Sequence, residues 1–587
     1  MTTPPGAAPT VFERLLRPGR ASPRDTLLDV CLLAGFALLL MATGLGLRDP
    51  WPADEPRFAL VAQDMLRSGD WWIPRIGGDL YADKPPFFFW LLATAIAATG
   101  SLRIGFLLPS LLAGIGTTLL VYDLVRRARG REAALCGGFV LLLTFQFSWQ
   151  MRHAQIDGVL CFLTTLSLYG LLRHVLLGPA PRWFIAGWAA AGLGVITKGV
   201  GFLPLLALVP FAVVARRGWP VPVRGVAGLS LAGVLAMLVA IGLWFVPMMV
   251  VTSAGGDLLA YRNEILFKQT VTRYADAWHH HEPFHYFLTN VIPILWLPLI
   301  ALVPWLWPRW RAALRERDTY TAVLLGWVVL VVLFFSFSAG KRGVYVLPAV
   351  PALAMAAAPW LPELLRRPGT RRLGFGLASA LVGIAAAAGV YFAIDADAAE
   401  RIVRDYGIQP LLPLAVAVAV GAIPLVLLRW KDGWLAYGGV LAAIFATIGF
   451  VVYPRIDPVR SGRALMERLE QASAPFAELG LASAKEQYLL ELRRPSYNFG
   501  HARWREREVE AADAAAWLAE RPGRALLVDQ HAREACFSQA DAVELGRANR
   551  QYWYLVSGTP DPDCVRRGNH GVSRLYVPPN ASLNTES

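Results

Sequence analysis

Residues 53–86 read ADEPRFALVAQDMLRSGDWWIPRIGGDLYADKPP and lie between strongly apolar segments. This stretch holds the adjacent acids Asp54 and Glu55 and, near its end, Asp83 and Lys84, which two prolines follow. A charge beside a lipid bilayer is costly unless it is solvated, paired or used in function. The stretch is therefore a candidate active-site loop between membrane spans, although a solvated loop held by a few salt bridges has the same composition.

The chain around this loop has the composition of a membrane protein. Of its 587 residues, 55% are hydrophobic and 17% are charged, whereas a soluble domain carries about 25% charged residues. Apolar runs of about 20 residues, the length that spans a bilayer as a helix, recur between Thr26 and Tyr453. The net charge of +13 comes from Lys and Arg in short loops, which set membrane topology, so the sequence does not indicate nucleic-acid binding.

About thirteen membrane spans are predicted from the apolar runs and their flanking charges. They are 26–47, 102–122, 133–150, 157–177, 182–198, 200–215, 224–252, 286–307, 320–338, 344–363, 374–394, 409–429 and 434–453. Every strongly basic loop then lies on the side of the N-terminus, which makes that side cytoplasmic. The odd number of spans places the C-terminus on the outer side.

The sequence divides into three regions. Residues 1–25 are predicted as a cytoplasmic N-terminus and 26–454 as a transmembrane domain, whose first outer loop, 48–101, carries the candidate active site. Residues 455–587 have frequent charges and no apolar run of span length, and are predicted as a small outer α/β domain. Strands are predicted at Ala525–Val528, Tyr552–Val556 and Arg574–Val577, and helices at Ser461–Ala472 and Ala511–Arg521.

Two helices are predicted inside the first outer loop. Apolar residues follow helical spacing over 58–68, which predicts an amphipathic helix at the membrane surface. The apolar segment Phe87–Thr99 has only about 13 residues, which suits a re-entrant or interfacial helix better than a span.

The five cysteines show no spacing typical of a metal site. Cys536 and Cys564 lie in the C-terminal region and could form a disulfide if that region is in an oxidising compartment. Cys31, Cys136 and Cys161 lie in or near predicted spans and are interpreted as packing residues.

Further polar clusters fall on the outer side in this topology. They lie at Arg152–Asp157, Lys198, Arg262–His285 and Lys341–Tyr345. Each has a structural interpretation of its own: Arg152 and Asp157 could form a helix-end ion pair, and Lys198 could extend its charge to the interface. Their convergence on one side of the membrane favours a site built from several loops.

The motifs, taken in order, resemble the bacterial integral-membrane glycosyltransferases of the GT-C superfamily. These are relatives of the protein O-mannosyltransferases, and the branch that this sequence resembles transfers 4-amino-4-deoxy-L-arabinose to lipid A. The matching motifs are DEPRFA (54–59), MRHAQIDGVL (151–160), TKGVG (197–201), PFHYF (283–287) and FSFSAGKRGVYVLPAVPALA (335–354). They cover almost the whole transmembrane part.

The resemblance implies a polytopic α-helical GT-C fold in the bacterial inner membrane, with the active site and C-terminus periplasmic. It implies inverting transfer of a sugar from polyprenyl (undecaprenyl) phosphate to lipid A, another envelope glycolipid or a protein. Lys84 and Arg273 match the positions that hold the donor phosphate, whose developing charge cations stabilise. Asp54 matches the essential acid, with Glu55 as its companion. The candidate residues of the substrate cavity are Arg57, Tyr81, Asp83, Asp157, Lys198, Lys341 and Tyr345.

Two departures from the arabinose transferases concern a metal. That branch usually has glutamate before Lys-Pro-Pro and histidine three positions before the Arg-aromatic pair, and both positions are linked with zinc there. This chain has Asp83 and Thr270 instead. The sequence therefore establishes no cofactor. A divalent metal remains an alternative, with the weak candidate ligands His279, His280 and His281, which could equally be a solvated loop.

Two other classes of membrane protein share many spans and polar loops. A flippase for lipid-linked sugars would carry acids inside its spans and a pair of broken helices, whereas the acids here lie in outer loops. A polymerase or ligase of oligosaccharides would carry one large outer loop between spans, whereas the large outer region here is C-terminal.

Overall fold

The structure is a computed structural model that describes residues 23–223, 225–266, 282–500 and 503–578. Within these ranges, eight helices are long and apolar enough to cross a bilayer. They are Leu102–Arg129, Ile156–Leu177, Gly199–Arg216, Ala227–Thr252, Thr319–Phe337, Pro368–Ile394, Leu411–Leu428 and Trp430–Ser473. Phe287–Leu295 and Ile300–Arg315 form a further candidate span that is bent by 96°. The chain is a multi-pass membrane protein.

The count of thirteen spans is not confirmed, because four predicted spans form helices that are shorter or more charged. These are Pro23–Met41, Arg131–Leu143, Pro181–Val195 and Ala349–Ala357. The first carries Arg24, Asp25 and Asp29 near its start. The longest of the other three has 15 residues, below the roughly 20 that span a bilayer. This part also contains the shorter helices Phe145–Gln150, Asp257–Asn263, Leu361–Arg366 and Ala396–Tyr406. Tyr453–Arg460 is a segment within the long helix Trp430–Ser473.

The first outer loop folds into two helices joined by a β-hairpin. Helix Glu55–Ser68 buries one apolar face, as its spacing predicts, and ends at Gly69. The φ of Gly69 is +69°, a left-handed conformation that glycine adopts without strain. The hairpin pairs β1 (Arg75–Ile76) with β2 (Asp79–Leu80), and the predicted short apolar helix follows at Phe87–Thr99.

The C-terminal region forms a six-stranded mixed sheet in the order β6-β7-β5-β3-β4-β8. Its strands are β3 (Glu478–Leu481), β4 (Ser496–Asn498), β5 (Arg524–Asp529), β6 (Asp541–Ala548), β7 (Gln551–Ser557) and β8 (Arg574–Tyr576). β3 is parallel to β4 and β5, and the other neighbours are antiparallel. The helices are Arg463–Ser473, Glu486–Glu491, Arg507–Glu520, Gln530–Cys536 and Pro562–Arg567.

Several predictions for this region are confirmed. The three predicted strands correspond to β5, β7 and β8, and β5 is buried along its whole length. The predicted helices appear at Arg463–Ser473 and Arg507–Glu520. A disulfide joins Cys536 to Cys564, whose Cα atoms are 5.6 Å apart.

The sheet is docked against the first outer loop. Nδ2 of Asn498 donates to the carbonyl oxygen of Gly77 at 3.2 Å, and Arg574 forms an ion pair with Asp79. Nη1 of Arg67 donates to the carbonyl oxygen of Val577 at 2.9 Å. The C-terminal region is therefore held directly against the first loop.

A second segment of the membrane part also contacts the sheet. Arg547 of β6 lies 3.0 Å from Asp405, which belongs to helix Ala396–Tyr406. In the turn after β6, the guanidinium of Arg550 lies 5.3 Å from the ring centre of Tyr406. The sheet, the first loop and this helix thus lie on the same side of the membrane part.

Candidate active site

Glu55, at the start of the first-loop helix, is buried and saturated with hydrogen bonds. Nη2 of Arg48 donates to its Oε1 at 2.7 Å, Nη1 of Arg48 contacts Oε2, and the N–H of Trp51 donates to Oε2 at 3.0 Å. Burial alone would raise the pKa of Glu55, but the charge and hydrogen bonds of Arg48, together with His153 and the N–H of Trp51, lower that pKa below its usual value. Glu55 is therefore a charged anchor of the loop.

The same carboxylate ties the first loop to the MRHAQIDGVL motif. The backbone N–H of Ala154 donates to Oε1 of Glu55 at 3.0 Å. Arg152 is also buried, and it donates to Oγ1 of Thr43 at 2.6 Å and to the carbonyl oxygen of Thr43 at 2.9 Å. These contacts fix the start of helix Ile156–Leu177, and with it Asp157, relative to the first loop.

Asp54 stands one residue before this anchor and forms an ion pair across the site. Nη2 of Arg342 lies 3.1 Å from its Oδ2, and the side chains of Arg342 and Asp54 are 43% and 17% exposed. Burial lowers the pKa of Arg342, but the charge and hydrogen bond of Asp54, together with Asp157 and Tyr345, raise that pKa above its usual value. The pair is thus accessible to a ligand and lies within electrostatic range of a second pair.

That second pair joins two further motifs. Nζ of Lys198 lies 2.6 Å from Oδ1 of Asp157, and both side chains are largely buried. The same Nζ lies 4.4 Å from the ring centre of Tyr345, a cation–π contact. Four sequence-predicted residues, Asp54, Asp157, Lys198 and Tyr345, are therefore brought together around Arg342.

A third group extends from the first loop to the C-terminal region. Nε of Arg57 lies 3.3 Å from Oε1 of Glu486, and its guanidinium is also hydrogen-bonded to Tyr81. Burial lowers the pKa of Arg57, but Tyr81, Glu486, Asp54 and Asp83 together raise it above its usual range. Arg57 thus links the first loop to a carboxylate on helix Glu486–Glu491 of the C-terminal region.

The two predicted lysines of the loops occupy different surroundings. Nζ of Lys84 donates to the carbonyl oxygen of Asp83 at 3.0 Å and stays partly exposed. The Lys-Pro-Pro turn is held to the TKGVG motif, because the N–H of Phe87 donates to the carbonyl oxygen of Ile196 at 3.3 Å. Lys341 is buried, and its Nζ donates to the carbonyl oxygen of Glu282 at 2.7 Å.

Several predicted residues lie outside the described ranges. They are Thr270, Arg273, His279, His280 and His281. In the parts of the chain that the structure describes, no three His, Cys, Asp or Glu side chains form a group that could hold a metal ion.

The sequence did not single out two members of the site. Arg342 stands beside Lys341 in the GKRGVY motif, and no pattern there tells which of two adjacent cations faces Asp54. Glu486 lies in the C-terminal region, far along the chain from Arg57, and its neighbours carry no recognisable motif. Only the docking of the sheet brings it to the site.

Comparison with known proteins supports the resemblance seen in the motifs. The family model for dolichyl-phosphate-mannose-protein mannosyltransferase matches residues 83–244. Undecaprenyl phosphate-alpha-4-amino-4-deoxy-L-arabinose arabinosyl transferase 2 of Pseudomonas fluorescens is 27% identical over 524 residues, covering 83% of this chain and 85% of the relative. The arabinosyl transferase of Pseudomonas aeruginosa is 30% identical over 344 residues, covering 56% of this chain and 60% of the relative.

Solved structures share the fold. ArnT from Cupriavidus metallidurans bound to undecaprenyl phosphate superposes with a TM-score of 0.70 at 23% identity, covering 91% of this chain and 98% of that one. Its apo state gives the same TM-score at 24% identity, covering 90% and 97%. From its sequence relatives, the chain is a membrane glycosyltransferase, and it resembles the arabinosyl transferases and the protein mannosyltransferases in sequence and ArnT in fold.

Proposed function

We propose that the chain transfers a sugar from undecaprenyl phosphate, or a similar polyprenyl phosphate, to lipid A or a related envelope glycolipid. The names of the arabinosyl transferases and the undecaprenyl phosphate bound to ArnT support this donor. The observation that carries the proposal is that the Asp54–Arg342 pair lies beside the Asp157–Lys198 pair, so that four separate motifs meet at one place.

The reaction is an inverting displacement. An acceptor oxygen attacks the anomeric carbon, the bond between this carbon and the phosphate oxygen breaks, and polyprenyl phosphate leaves with the electron pair. Lys84 and Arg273 stabilise the charge that grows on the leaving phosphate. Arg273 supplies a planar fork of donors suited to that group.

Asp54 acts on the acceptor side or at the anomeric carbon. For a hydroxyl acceptor, its carboxylate takes the proton as the new glycosidic bond forms. For an acceptor that is already an anionic phosphate no base is needed, and Asp54 then stabilises positive charge at the anomeric carbon. Glu55, whose carboxylate is occupied by Arg48, holds Asp54 in place rather than reacting.

The proposal places the C-terminal residues 455–587, as a domain, and the active site in the periplasm. The sheet contacts both the first loop and helix Ala396–Tyr406, two segments that the basic loops assign to the outer side. The disulfide between Cys536 and Cys564 also fits an oxidising compartment. A reporter fused after Asn580 should read periplasmic and one within 310–317 cytoplasmic, and the reverse pattern would overturn this orientation.

We assign no metal-dependent step, because Thr270 stands where the arabinose transferases carry the histidine linked with zinc; Asp83 keeps a carboxylate at the other position, so a divalent metal stays an alternative. Transfer by the purified enzyme should survive treatment with a chelator. A loss of transfer that added Zn²⁺ restores would instead assign a metal, with His279, His280 and His281 as the first ligands to test.

A protein acceptor is the second candidate, because the mannosyltransferase family model matches residues 83–244. Mass spectrometry of lipid A and of envelope proteins from a deletion strain separates the two. Loss of a sugar from lipid A supports the first candidate, and loss from a protein supports the second. Purified enzyme that moves a lipid-linked sugar across vesicles without transferring it would replace both with a flippase.

A further inference from the structure

Two arginines come close together where the sheet meets the membrane part. Arg550 lies in the turn between β6 and β7, and its guanidinium donates to the hydroxyl of Tyr406. The next residue, Gly407, packs closely on Val459, because a Cβ atom at Gly407 would lie only 2.9 Å from Cγ2 of Val459. Arg460 follows Val459 and lies within electrostatic range of both Arg550 and Tyr406. We call these two arginines the Arg460–Arg550 cluster.

The positive charge of this cluster is not balanced by a carboxylate. Among the described residues, neither guanidinium forms an ion pair with an Asp or Glu side chain. Asp405 pairs with Arg547 at 3.0 Å instead, and Glu55, which attracts Arg460 from beyond ion-pair distance, is occupied by Arg48. Arg460 is half-buried, so water screens its repulsion from the second arginine less than it would at an open surface. An anion bound between the two would relieve this repulsion.

The cluster lies at the level of the membrane where lipid phosphates are found. Helix Ala396–Tyr406 connects the candidate spans Pro368–Ile394 and Leu411–Leu428. The residues at the adjoining ends of these two spans, both apolar, are 80% and 44% exposed. The hydrocarbon core of the bilayer ends where such apolar surfaces end, and tyrosine is enriched at that boundary. A lipid headgroup can therefore reach Tyr406 and the cluster from the bilayer.

Arg460 also contacts the loop that carries Asp54. Its Nη2 donates to the carbonyl oxygen of Pro52 at 3.2 Å, and its guanidinium lies 5.7 Å from the ring centre of Trp51. Pro52 precedes Asp54 by two residues, which correspond to at most about 7 Å of chain. A ligand held by Arg460 therefore has the rest of its headgroup beside the loop of Asp54.

We propose that Arg460 and Arg550 bind the phosphate group of an anionic glycolipid, which they hold beside the Asp54 loop as the acceptor. Guanidinium groups suit this ligand because their planar forks of donors match phosphate oxygens. The contacts with Pro52 and Tyr406 leave other N–H donors on each guanidinium for the ligand. That the lipid is the acceptor rests on the proposed function, whereas the binding of a lipid phosphate does not.

Binding is tested on the full chain in detergent by native mass spectrometry. The probes are lipid A with its phosphates, the same lipid without phosphates, phosphatidylglycerol and inorganic phosphate. We expect the phosphorylated glycolipid to bind more tightly than the other three. Arg460→Gln and Arg550→Gln should each weaken its binding roughly tenfold, the scale of one charge-assisted hydrogen bond.

Arg455→Gln is the matched control for these variants. It removes the same charge from the helical segment that holds Arg460, but Arg455 is exposed and its Nη1 donates to the carbonyl oxygen of Val451 at 2.7 Å. In steady-state transfer, Arg460→Gln and Arg550→Gln should raise KM for the phosphorylated acceptor and leave kcat and the KM for the donor near those of the control. A variant that merely disturbs the Asp54 loop would lower kcat instead.

Several results would overturn the proposal. One is equal binding of the glycolipid without phosphates, and another is binding by both glutamine variants that matches the Arg455→Gln control. Phosphatidylglycerol or inorganic phosphate bound as tightly as the glycolipid would show a site that does not select the acceptor. Transfer with an unchanged acceptor KM in both variants removes this site alone, whereas arginine-dependent binding without transfer removes the proposed function alone.

Discussion

Nη2 of Arg342 lies 3.1 Å from Oδ2 of Asp54, and the two residues are 288 positions apart in the chain. The pair connects the first outer loop to the loop after helix Thr319–Phe337. Because 43% of the Arg342 side chain is exposed, a ligand can approach the guanidinium while it still pairs with Asp54.

Arg342→Ala should reduce transfer roughly tenfold to hundredfold, because it removes the cation that orients Asp54. We expect most of the loss in kcat, since Arg342 acts through Asp54, and partial recovery in Arg342→Lys, which keeps the charge but loses the planar fork. Steady-state kinetics of the purified enzyme measures both. Arg309→Ala, which breaks an exposed pair with Glu363, is the matched control; an Arg342→Ala enzyme as active as this control contradicts the role.

Asp54→Asn should abolish transfer and retain donor binding, because the amide keeps the shape of the carboxylate and loses its charge and basicity. A fully active Asp54→Asn enzyme removes Asp54 from the mechanism.

Glu55→Gln should act mainly on stability and lower the free energy of unfolding by about 3–5 kcal/mol, since it leaves the buried Arg48 charge without its partner. Membrane levels, thermal unfolding and transfer per folded molecule separate the two effects.

Lys84→Ala and Arg273→Ala should each reduce transfer by roughly a hundredfold or more, the scale for deleting one preorganised charge stabiliser. Protein levels in the membrane should stay near those of the wild type, because Lys84 is partly exposed. Turnover with a polyprenyl phosphate sugar is the measurement. Near-normal turnover in either variant would show that this residue does not stabilise the leaving phosphate.

Local patterns in the sequence were sufficient to predict many of the helices and strands and some of the residues of the candidate site. The buried run at β5, the helical spacing of the first loop and the charged motifs each carry their own signal, so their structures could be predicted separately. Pairings between distant segments could not. Nothing near Arg57 indicates Glu486, and nothing in LRDPWPADE (47–55) shows that Arg48 rather than solvent occupies Glu55. Such pairs depend on how the helices and the sheet pack.

Glu486→Gln should lower transfer severalfold, because it removes the carboxylate that holds Arg57 beside Tyr81 and Asp54. Glu491→Gln is the control, since Glu491 ends the same short helix but lies 3.6 Å from Arg463 instead. A double-mutant cycle with Arg57→Ala tests the connection, and the two losses should not add. Additive losses, or equal effects of the two glutamine variants, contradict a coupling through Arg57.

The interface between the first loop and the sheet holds two buried carboxyl groups that should make folding stability fall as pH rises. Burial raises the pKa of Asp64 to about 6 and that of Glu510 to about 7, from ordinary values of 3.8 and 4.5. At a pH between the ordinary and the raised pKa of such a group, the folded chain still binds a proton that the unfolded chain has lost. Each group therefore lowers the free energy of unfolding by up to about 1.4 kcal/mol per pH unit in its window.

The destabilisation by Glu510 is fully present above about pH 7, where its carboxyl group is ionised in both the folded and the unfolded chain. It is absent below about pH 4.5, where the group is protonated in both. Glu510→Gln should therefore make the apparent Tm fall less steeply between pH 5 and pH 7, because it removes one of the groups that titrate in this range. Thermal unfolding of the full chain in detergent measures this decline, with the exposed Glu544→Gln as the control. A Glu510→Gln variant whose Tm falls with pH as steeply as that control would show that Glu510 does not bind its proton more tightly in the folded state.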